Sequence, residues 1–297
     1  MTKRVTKAIF PVAGMGTRFL PATKASPKEM LPLIDRPLIQ YAIDEAREAG
    51  IEEFIFVTAK GKSALEDYFD AAPELERTLA DKGKDDLLAE VRKASMDSGA
   101  IAYIRQAEAL GLGHAVWCAR RLIGNEPVAV ILPDDVIAAE TGCLKQMVDA
   151  HAQTGGSMVA AMEVAPDEIS SYGALAHGET VGRIVPVTGM VEKPKAEEAP
   201  SNLAVIGRYI IAPEVFGTLS AGKTGAGGEI QLTDAIAAEI TAGRRVSGFR
   251  FDGTRYDCGS KLGFLEATVA FALAREDLGA RFATSLARIQ GQAIAAE

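Results

Sequence analysis

The fold of this chain is decided first by Ala8-Ile-Phe-Pro-Val-Ala-Gly-Met-Gly16, a short apolar run that passes directly into two glycines. The run is typical of a buried strand that stops at Gly14. Beyond it, apolar runs alternate with segments of helical periodicity: Leu38–Ala49, Phe54–Val57, Glu74–Ala94, Ile101–Ile104, His114–Leu122 and Val128–Leu132. This alternation predicts a mostly parallel sheet with helices on both faces and a ligand at the carboxyl ends of its strands.

The pattern changes after about residue 157. Short strand-like runs with turn residues between them follow, at Met158–Met162, Ala174–Ala176, Arg183–Val185 and Leu203–Ile206. Helical periodicity returns over Gln231–Ala242 and Lys261–Leu278. Because no linker separates the two patterns, we predict one α/β domain over residues 1–297, with a mixed, mostly parallel central sheet and additional short strands in its second half.

Composition excludes several classes of protein. Forty acidic residues against 32 basic ones give a formal net charge of −8, and 48% of the residues are apolar. That apolar content argues against disorder, and the negative charge argues against a nucleic-acid partner. The basic start is followed by too short an apolar run for a signal peptide, and no apolar stretch is long enough to span a membrane. We therefore expect a soluble, cytoplasmic protein with no membrane partner.

The cysteines and histidines do not form a metal motif. Three cysteines occur without a CxxC pair, which is typical of a reducing compartment. Three histidines also lack zinc-site spacing. A metal, if bound, has to be held by carboxylates.

The segment that follows the first strand reverses the local charge. From Pro11 to Lys28 it carries the cations Arg18, Lys24 and Lys28 and no acid. Gly14 and Gly16 allow backbone N–H groups to approach a bound group closely, and the prolines at positions 11, 21 and 27 stiffen the loop. Donors and cations in one stiff loop indicate a polyphosphate site rather than an ordinary strand-to-helix connection.

Two other glycine patterns do not indicate a nucleotide site. The dinucleotide fingerprint requires a third glycine, but Phe19 stands there. Gly217-Thr-Leu-Ser-Ala-Gly-Lys-Thr224 matches the GxxxxGK[ST] pattern, yet a helical turn precedes it and glycines follow it. A P-loop requires a strand before the pattern and a helix after it, so we interpret this match as chance. The glycine-rich loop is still free to close over a ligand.

Carboxylates stand where a hard cation is expected. Asp134 and Asp135 directly follow the fourth strand, and Asp257 precedes the helix that begins near Lys261. Mg²⁺ binds one or two carboxylates together with phosphate oxygens, so these regions predict a magnesium site. Alternatives remain, because Asp134 also suits a turn and Asp257 also suits a helix N-cap.

Glu192 and Lys193 form a second candidate. A carboxylate accepts sugar hydroxyls and a lysine neutralises phosphate, but an exposed charge pair on a loop explains the same residues.

These motifs together resemble those of sugar-phosphate nucleotidyltransferases. The signature reads Ala13-Gly-Met-Gly-Thr-Arg-Phe-Leu-Pro-Ala-Thr-Lys-Ala-Ser-Pro-Lys-Glu-Met-Leu-Pro32. Further matches follow in family order: Gln106…Gly111-Leu-Gly-His114, Leu132-Pro-Asp-Asp135, Val191-Glu-Lys-Pro194, Gly228-Glu-Ile-Gln-Leu-Thr-Asp234 and Tyr256-Asp-Cys-Gly-Ser-Lys-Leu-Gly263. They span almost the whole chain. The Pro-Lys-Glu-Met variant and the last stretch favour the uridylyl branch over thymidylyl relatives.

The resemblance implies a Rossmann-like three-layer fold. It assigns nucleotide binding to about residues 1–150, sugar-phosphate binding to about 151–265 and C-terminal helices to about 261–297. It also implies uridylyl transfer from UTP to glucose 1-phosphate with Mg²⁺, in a homo-oligomer that is a dimer or a tetramer. The residue roles that it implies are Ala13, Gly14, Gly16, Glu29, Gln106 and Gly111 for the nucleotide; Arg18, Lys28 and Asp134 for catalysis; Gly173, Glu192, Lys193 and Val205 for the sugar phosphate; and Asp134, in preference to Asp135, with Asp257 for Mg²⁺.

Two alternative functions are kept open at this stage. One is a glucose-1-phosphate thymidylyltransferase or another sugar-phosphate nucleotidyltransferase. The other is a regulatory module that binds nucleotide sugars without turnover, although such a module has no need to retain Arg18, Lys28 and Asp134. A purely structural α/β protein leaves the charge-reversed loop unexplained.

Overall fold

A computed structural model describes residues 3–294 of the chain. Its strands are β1 (Lys7–Pro11), β2 (Pro32–Leu33), β3 (Arg36–Pro37), β4 (Glu53–Thr58), β5 (Ile101–Arg105), β6 (Val128–Ile131), β7 (Asp135–Ala138), β8 (Ser157–Glu163), β9 (Gly173–His177), β10 (Ile184–Glu192), β11 (Leu203–Ile211), β12 (Val246–Arg250) and β13 (Thr254–Asp257). Its α-helices are α1 (Leu38–Glu48), α2 (Ser63–Phe69), α3 (Pro73–Asp81), α4 (Asp85–Ala94), α5 (Leu112–Cys118), α6 (Arg120–Ile123), α7 (Cys143–Thr154), α8 (Glu214–Leu219), α9 (Leu232–Thr241), α10 (Lys261–Ala274) and α11 (Gly279–Ile294).

Nine strands form one sheet in the order β5-β4-β1-β6-β11-β8-β12-β10-β9. The first four are parallel, β8 and β12 run parallel to each other, and β11 and β10 pair antiparallel with their neighbours. The predicted mixed, mostly parallel sheet is therefore confirmed, and the strands of the second half extend the same sheet. Since this sheet contains strands from both halves, it accords with one domain, while the division into binding parts stays a prediction.

The sheet separates two apolar cores, which makes the three layers. Side chains of a strand alternate between its faces, so on β1 Ile9 packs on one side while Ala8 and Phe10 pack on the other. The first core includes α5, α8 and α9, and the second includes α1, α2 and α7. Residues from both layers are almost fully buried, which fixes the register of the strands and therefore the direction of their carboxyl ends.

Three helical segments are shorter than the sequence predicts. The segment predicted over Glu74–Ala94 is two helices, α3 and α4, because Gly83 lies in the left-handed region with a φ of 62°. The segment over His114–Leu122 is divided between α5 and α6. The segment predicted over Lys261–Leu278 ends at Ala274, where Arg275 leaves helical geometry and pairs with Asp35 and Asp277, and a separate helix begins at Gly279.

Two further observations concern segments singled out in the sequence. Gly217 lies inside α8 rather than after a strand, so the rejection of a P-loop at Gly217–Thr224 is confirmed. Among residues 3–294, no helix is both long enough and apolar enough to cross a membrane.

Candidate active site

The loop after β1 folds over the carboxyl end of that strand. Val12 still donates its N–H to Val57 O at 2.9 Å, and three short 3₁₀ turns follow between residues 17 and 30. Gly16 has a φ of 67°, and a Cβ added to it would lie 3.0 Å from Lys28 Cβ. Thr23 Oγ1 donates to Gly16 O at 2.7 Å. Glycine is thus required at this position both by the backbone angle and by the close approach of Lys28.

Lys28 and Asp134 form an ion pair at the centre of the site. Lys28 Nζ lies 2.5 Å from Asp134 Oδ2, and both side chains are about three-quarters buried. Burial alone lowers the pKa of Lys28, but the attraction of Asp134 and Glu29 is stronger and the pKa is raised overall. For Asp134, burial raises the pKa, yet Lys28 outweighs it and the pKa falls below its usual value. Both groups are therefore charged at neutral pH.

Asp135 is committed to protein partners, although it is adjacent to Asp134. Its Oδ1 accepts hydrogen bonds from Arg255, and its Oδ2 accepts from Gly207 N at 2.6 Å. Burial raises the pKa of Asp135, and Arg255 offsets part of that effect. Because Arg208 also donates to Asp135 O, the start of β7 is held on three sides. The Asp134 carboxylate, by contrast, forms its side-chain ion pair with a lysine rather than with an arginine and a backbone amide.

Asp257 reaches the same place from the far end of the chain. It ends β13, whose pairing with β7 sets Asp257 opposite Asp135. The helix N-cap alternative for Asp257 is wrong, because Ser260 Oγ accepts from Gly263 N and caps α10. Arg18 Nη1 donates to Gly259 O at 3.4 Å, beside these carboxylates. Arg18 and Lys28 are therefore on the same side of the molecule as Asp134 and Asp257.

The two carboxylates suit a divalent cation. A Cβ added to Gly259 would lie 2.9 Å from Asp134 Oδ2 and 3.0 Å from Asp257 Oδ1, so the two oxygens are within about 6 Å of each other. Among residues 3–294, no cluster of three metal-ligating side chains exists. Two carboxylates with room for further oxygen ligands match the preference of Mg²⁺, which completes its shell with phosphate oxygens and water.

A cavity of about 500 Å³ opens beside these aspartates; we call it the acidic cavity. All four residues predicted for the sugar phosphate line it: Gly173, Glu192, Lys193 and Val205. Thr233 Oγ1 donates to Glu192 Oε2 at 2.7 Å, which fixes that carboxylate. A Cβ at Gly173 would meet Thr233 at 3.1 Å and Glu192 at 3.4 Å, so a larger residue would intrude on them. Spacing alone did not identify Thr233, because its link to Glu192 exists only in three dimensions.

Arg255 and Tyr172, which the sequence did not single out for a role, also line the acidic cavity. The Arg255 side chain is only 9% exposed, and its Nη1 donates to Tyr172 Oη at 2.8 Å. Lys193 N donates to Tyr172 O at 3.0 Å, with Lys193 at a φ of 46°. Arg255 therefore links the aspartates at one end of the cavity to the Tyr172–Gly173 turn at the other.

A second cavity, of about 380 Å³, lies under the loop after β1; we call it the loop cavity. Ala13 and Gly14 line it, together with the cations Lys24, Lys60 and Lys62, and no acidic residue does. Glu29 lies buried beneath, where its Oε2 pairs with Lys62 Nζ at 2.9 Å. Burial raises the pKa of Glu29 and lowers that of Lys62. The two lysines after β4 were missed because no motif marks them.

Gln106 and Gly111 meet at the carboxyl end of β5. Gln106 N donates to Thr58 O at 2.8 Å, which continues the pairing of β5 with β4. Its side-chain Nε2 donates to Gly111 O at 3.1 Å. Gly111, with a φ of 101°, is the N-cap residue of α5 and packs so closely on Ile230 that a Cβ would clash. Both residues thus lie at the same edge of the sheet as the loop after β1.

Comparisons with known proteins place the chain among nucleotidyltransferases. The family model described as "Nucleotidyl transferase" matches residues 7–273. A curated relative from Bacillus subtilis, named UTP--glucose-1-phosphate uridylyltransferase, is 53% identical over 276 residues, which are 93% of this chain and 94% of the relative. At this identity and coverage the two proteins share the whole length of the fold.

Solved structures give the same result. A UDP-glucose pyrophosphorylase complexed with UDP-glucose superposes with a TM-score of 0.82 at 44% identity, covering 91% of this chain and 100% of that one. A UTP-bound UGPase from Acinetobacter baumannii has a TM-score of 0.86 at 40% identity, covering 95% of this chain and 98% of that one.

Proposed function

The chain belongs to the nucleotidyl transferase family, and on that premise we propose that it transfers the uridylyl group of UTP to glucose 1-phosphate, releasing pyrophosphate. The observation that carries the proposal is the meeting of Arg18 and Lys28 with Asp134 and Asp257 at one edge of the sheet. Two anionic substrates repel each other, and a site for their reaction needs cations for the phosphates and carboxylates for a divalent ion.

The reaction needs no general base, because the phosphate oxygen of glucose 1-phosphate is already anionic. The residues have instead to hold two phosphates in line and to neutralise the charge that builds up on the α-phosphate and the pyrophosphate. Arg18 and Lys28 serve that role in the proposal, since Arg18 lines the acidic cavity and Lys28 pairs with Asp134, which lines the same cavity. Asp134 and Asp257 would hold Mg²⁺, which supplies Lewis-acid stabilisation of phosphate charge when bound.

Each cavity takes one substrate in this proposal. The loop cavity, with its lysines and glycine N–H groups, receives the triphosphate of UTP, and Gln106, Gly111 and the buried Glu29 hold the rest of the nucleotide. In the acidic cavity, Glu192 accepts hydroxyl groups of the sugar and Lys193 neutralises its phosphate. Gly173 and Val205 line the wall against which the sugar lies.

We also propose that the protein acts as a homo-oligomer in the cytoplasm. Helix α10 carries exposed apolar side chains, with Leu262 68% and Leu265 62% exposed, and a second copy of the chain is the proposed cover. Cys118, Cys143 and Cys258 are all free thiols, which fits a reducing compartment. Light scattering of the pure protein distinguishes the proposed dimer or tetramer from a monomer.

Pyrophosphate release tests the function directly. With UTP, glucose 1-phosphate and Mg²⁺ we expect stoichiometric pyrophosphate and UDP-glucose, and dTTP run beside UTP measures the thymidylyl alternative. Preference for dTTP would move the assignment to that alternative. Binding of UDP-glucose without any pyrophosphate release would instead favour the regulatory module.

A further inference from the structure

Arg208 is a charged side chain buried in the middle of the sheet. It lies on β11, in register with Ile131 of β6, and its side chain is only 1% exposed. Its Nε and Nη2 donate to the two carboxylate oxygens of Glu45 on α1, at 3.0 and 2.8 Å. Glu45 Oε1 also accepts from Leu144 N at 2.8 Å. The bidentate contact balances the buried charge and fixes the plane of the guanidinium.

The other N–H groups of Arg208 are directed at backbone carbonyls. Nη1 donates to Leu132 O and to Gly207 O, each at 3.0 Å, and Nη2 donates to Asp135 O at 2.7 Å. A guanidinium has five N–H donors, and partners within residues 3–294 use all five of them. Arg208 is therefore occupied entirely by the protein, and it binds the backbone on both sides of Pro133–Asp134.

The turn held in this way, residues 132–135, carries the proposed metal ligand Asp134. Asp134 O accepts from Cys258 N at 2.8 Å. Because Cys258 directly follows Asp257, this contact joins the two proposed ligands of the metal through their backbones. The position of the Asp134 carboxylate relative to that of Asp257 thus depends on the conformation of the turn, and Arg208 bonds to the first and last residues of the turn.

Strand β11 approaches the same turn closely. Leu132 N donates to Gly207 O at 2.9 Å, and Gly207 N donates to Asp135 Oδ2 at 2.6 Å. A Cβ added to Gly207 would lie 2.6 Å from Asp135 Oδ2 and 2.7 Å from Leu132 Cβ. The turn therefore rests directly on the backbone of β11, and a change at Arg208 acts on the turn without an intervening side chain.

A buried ion pair by itself is a weak way to stabilise a core. The two charges lose their hydration, and apolar side chains of similar volume often give equal or greater stability. What an apolar side chain cannot do is hold the carbonyls that Arg208 binds. We propose that Arg208 is a positioning residue that fixes the turn of residues 132–135, so that Asp134 and Asp257 can bind one divalent cation. The inference rests on the proposed function, in which these two aspartates hold Mg²⁺.

The first experiment uses Arg208→Lys in the full chain. An ammonium has three donors, so the variant keeps a charge opposite Glu45 but loses at least two of the five hydrogen bonds. We expect the affinity for Mn²⁺, measured by electron paramagnetic resonance with no substrate present, to fall by about tenfold or more, as is typical when a group that orients a metal ligand is removed. The Mg²⁺ concentration for half-maximal pyrophosphate release should rise by a similar factor.

The second experiment separates positioning from stability with two matched double variants. Arg208→Met combined with Glu45→Met removes the ion pair and retains most of the buried volume. Arg244→Met combined with Glu239→Met does the same at an ion pair whose carboxylate is also buried, at the end of α9. We expect the first double variant to bind Mn²⁺ about tenfold or more weakly and the second to bind it within twofold of the original protein. Thermal unfolding measures the stability of each.

The outcomes distinguish this role from the function on which it rests. Unchanged Mn²⁺ affinity in folded Arg208→Lys, or a loss in the control double variant as large as in the Arg208 double variant, would overturn the role of Arg208 and leave uridylyl transfer untouched. Mn²⁺ affinity that is the same in Asp134→Asn as in the original protein would refute the metal site itself, and this inference with it. Failure of the proposed function is seen separately, as absence of pyrophosphate release by the unaltered protein, because the Mn²⁺ measurement needs no substrate.

Discussion

The two cavities at the edge of the sheet differ most in their charge. Three lysines and no carboxylate line the loop cavity, whereas five carboxylates and three cations line the acidic cavity. The loop cavity is built from a single continuous loop and the turn after β4. The acidic cavity includes the turn before β9 and the turns that follow β6, β10 and β13. A chain of net charge −8 thus concentrates cations in the cavity proposed for the triphosphate and carboxylates in the cavity proposed for the divalent ion and the sugar.

Two adjacent aspartates of the acidic cavity also differ, in this case in the protein groups that hold them. Asp135 is held by Arg255 and Gly207 N, whereas Asp134 forms an ion pair with Lys28. A buried carboxylate with several protein partners fixes the backbone, and a carboxylate with one mobile partner can exchange that partner for a ligand. In the proposed reaction, Mg²⁺ at Asp134 would leave Lys28 free to pair with the triphosphate.

The largest effect is expected at the Lys28–Asp134 ion pair. Lys28→Ala and Asp134→Ala should each lower kcat by about 10²–10³-fold or more, because each removes charge at the reacting phosphates. Steady-state pyrophosphate release measures the loss, and circular dichroism checks the fold. The exposed pair Lys145–Asp149 on α7 provides matched controls, since Lys145→Ala and Asp149→Ala remove the same charges away from the site. Near-normal turnover in both Lys28→Ala and Asp134→Ala would contradict the proposal that this ion pair acts on the reacting phosphates.

We expect kcat to fall by about 10²-fold in Asp257→Asn, because this change keeps the shape of the side chain but removes one proposed ligand of the metal. Titration of Mn²⁺ by electron paramagnetic resonance, with no substrate present, should show weaker binding in the variant. Asp252→Asn is the control, because Asp252 is exposed and pairs with Arg183 on the surface. Equal metal affinity in Asp257→Asn and the original protein argues that this carboxylate has another role.

Smaller effects, each confined to the KM of one substrate, are expected when a lysine of either cavity is replaced. Lys60→Gln should raise KM for UTP by roughly three- to tenfold, and Lys193→Gln should raise KM for glucose 1-phosphate by a similar factor, because each exposed lysine contributes one screened contact to phosphate. Each variant should leave KM for the other substrate unchanged. If both variants raise both constants, the two cavities do not receive separate substrates.

The loop after β1 and the aspartates could be predicted from the sequence because short stretches of sequence are enough to indicate their chemistry. The loop without acidic residues and the aspartates each directly follow an apolar strand. Because the carboxyl ends of parallel strands meet at one edge of the sheet, the sequence predicts that the loop and the aspartates lie close together. It missed Lys62, Thr233 and Arg255, whose partners are 33, 41 and 120 residues away and are brought near only by folding. It also merged α3 with α4, since a single glycine at position 83 is compatible with a continuous helix until its φ is known.

The smallest effect tests the link across the acidic cavity. Tyr172→Phe removes the hydroxyl that accepts from Arg255 Nη1 and keeps the ring, which lies 5.2 Å from the guanidinium. Since one hydrogen bond is lost, we expect KM for glucose 1-phosphate to rise roughly two- to tenfold with kcat little changed. The Arg255–Asp135 pair should survive, so the melting temperature should stay near its original value. If instead kcat or KM for UTP changes while KM for glucose 1-phosphate does not, the Arg255–Tyr172 hydrogen bond positions the aspartates and not the residues proposed to bind the sugar.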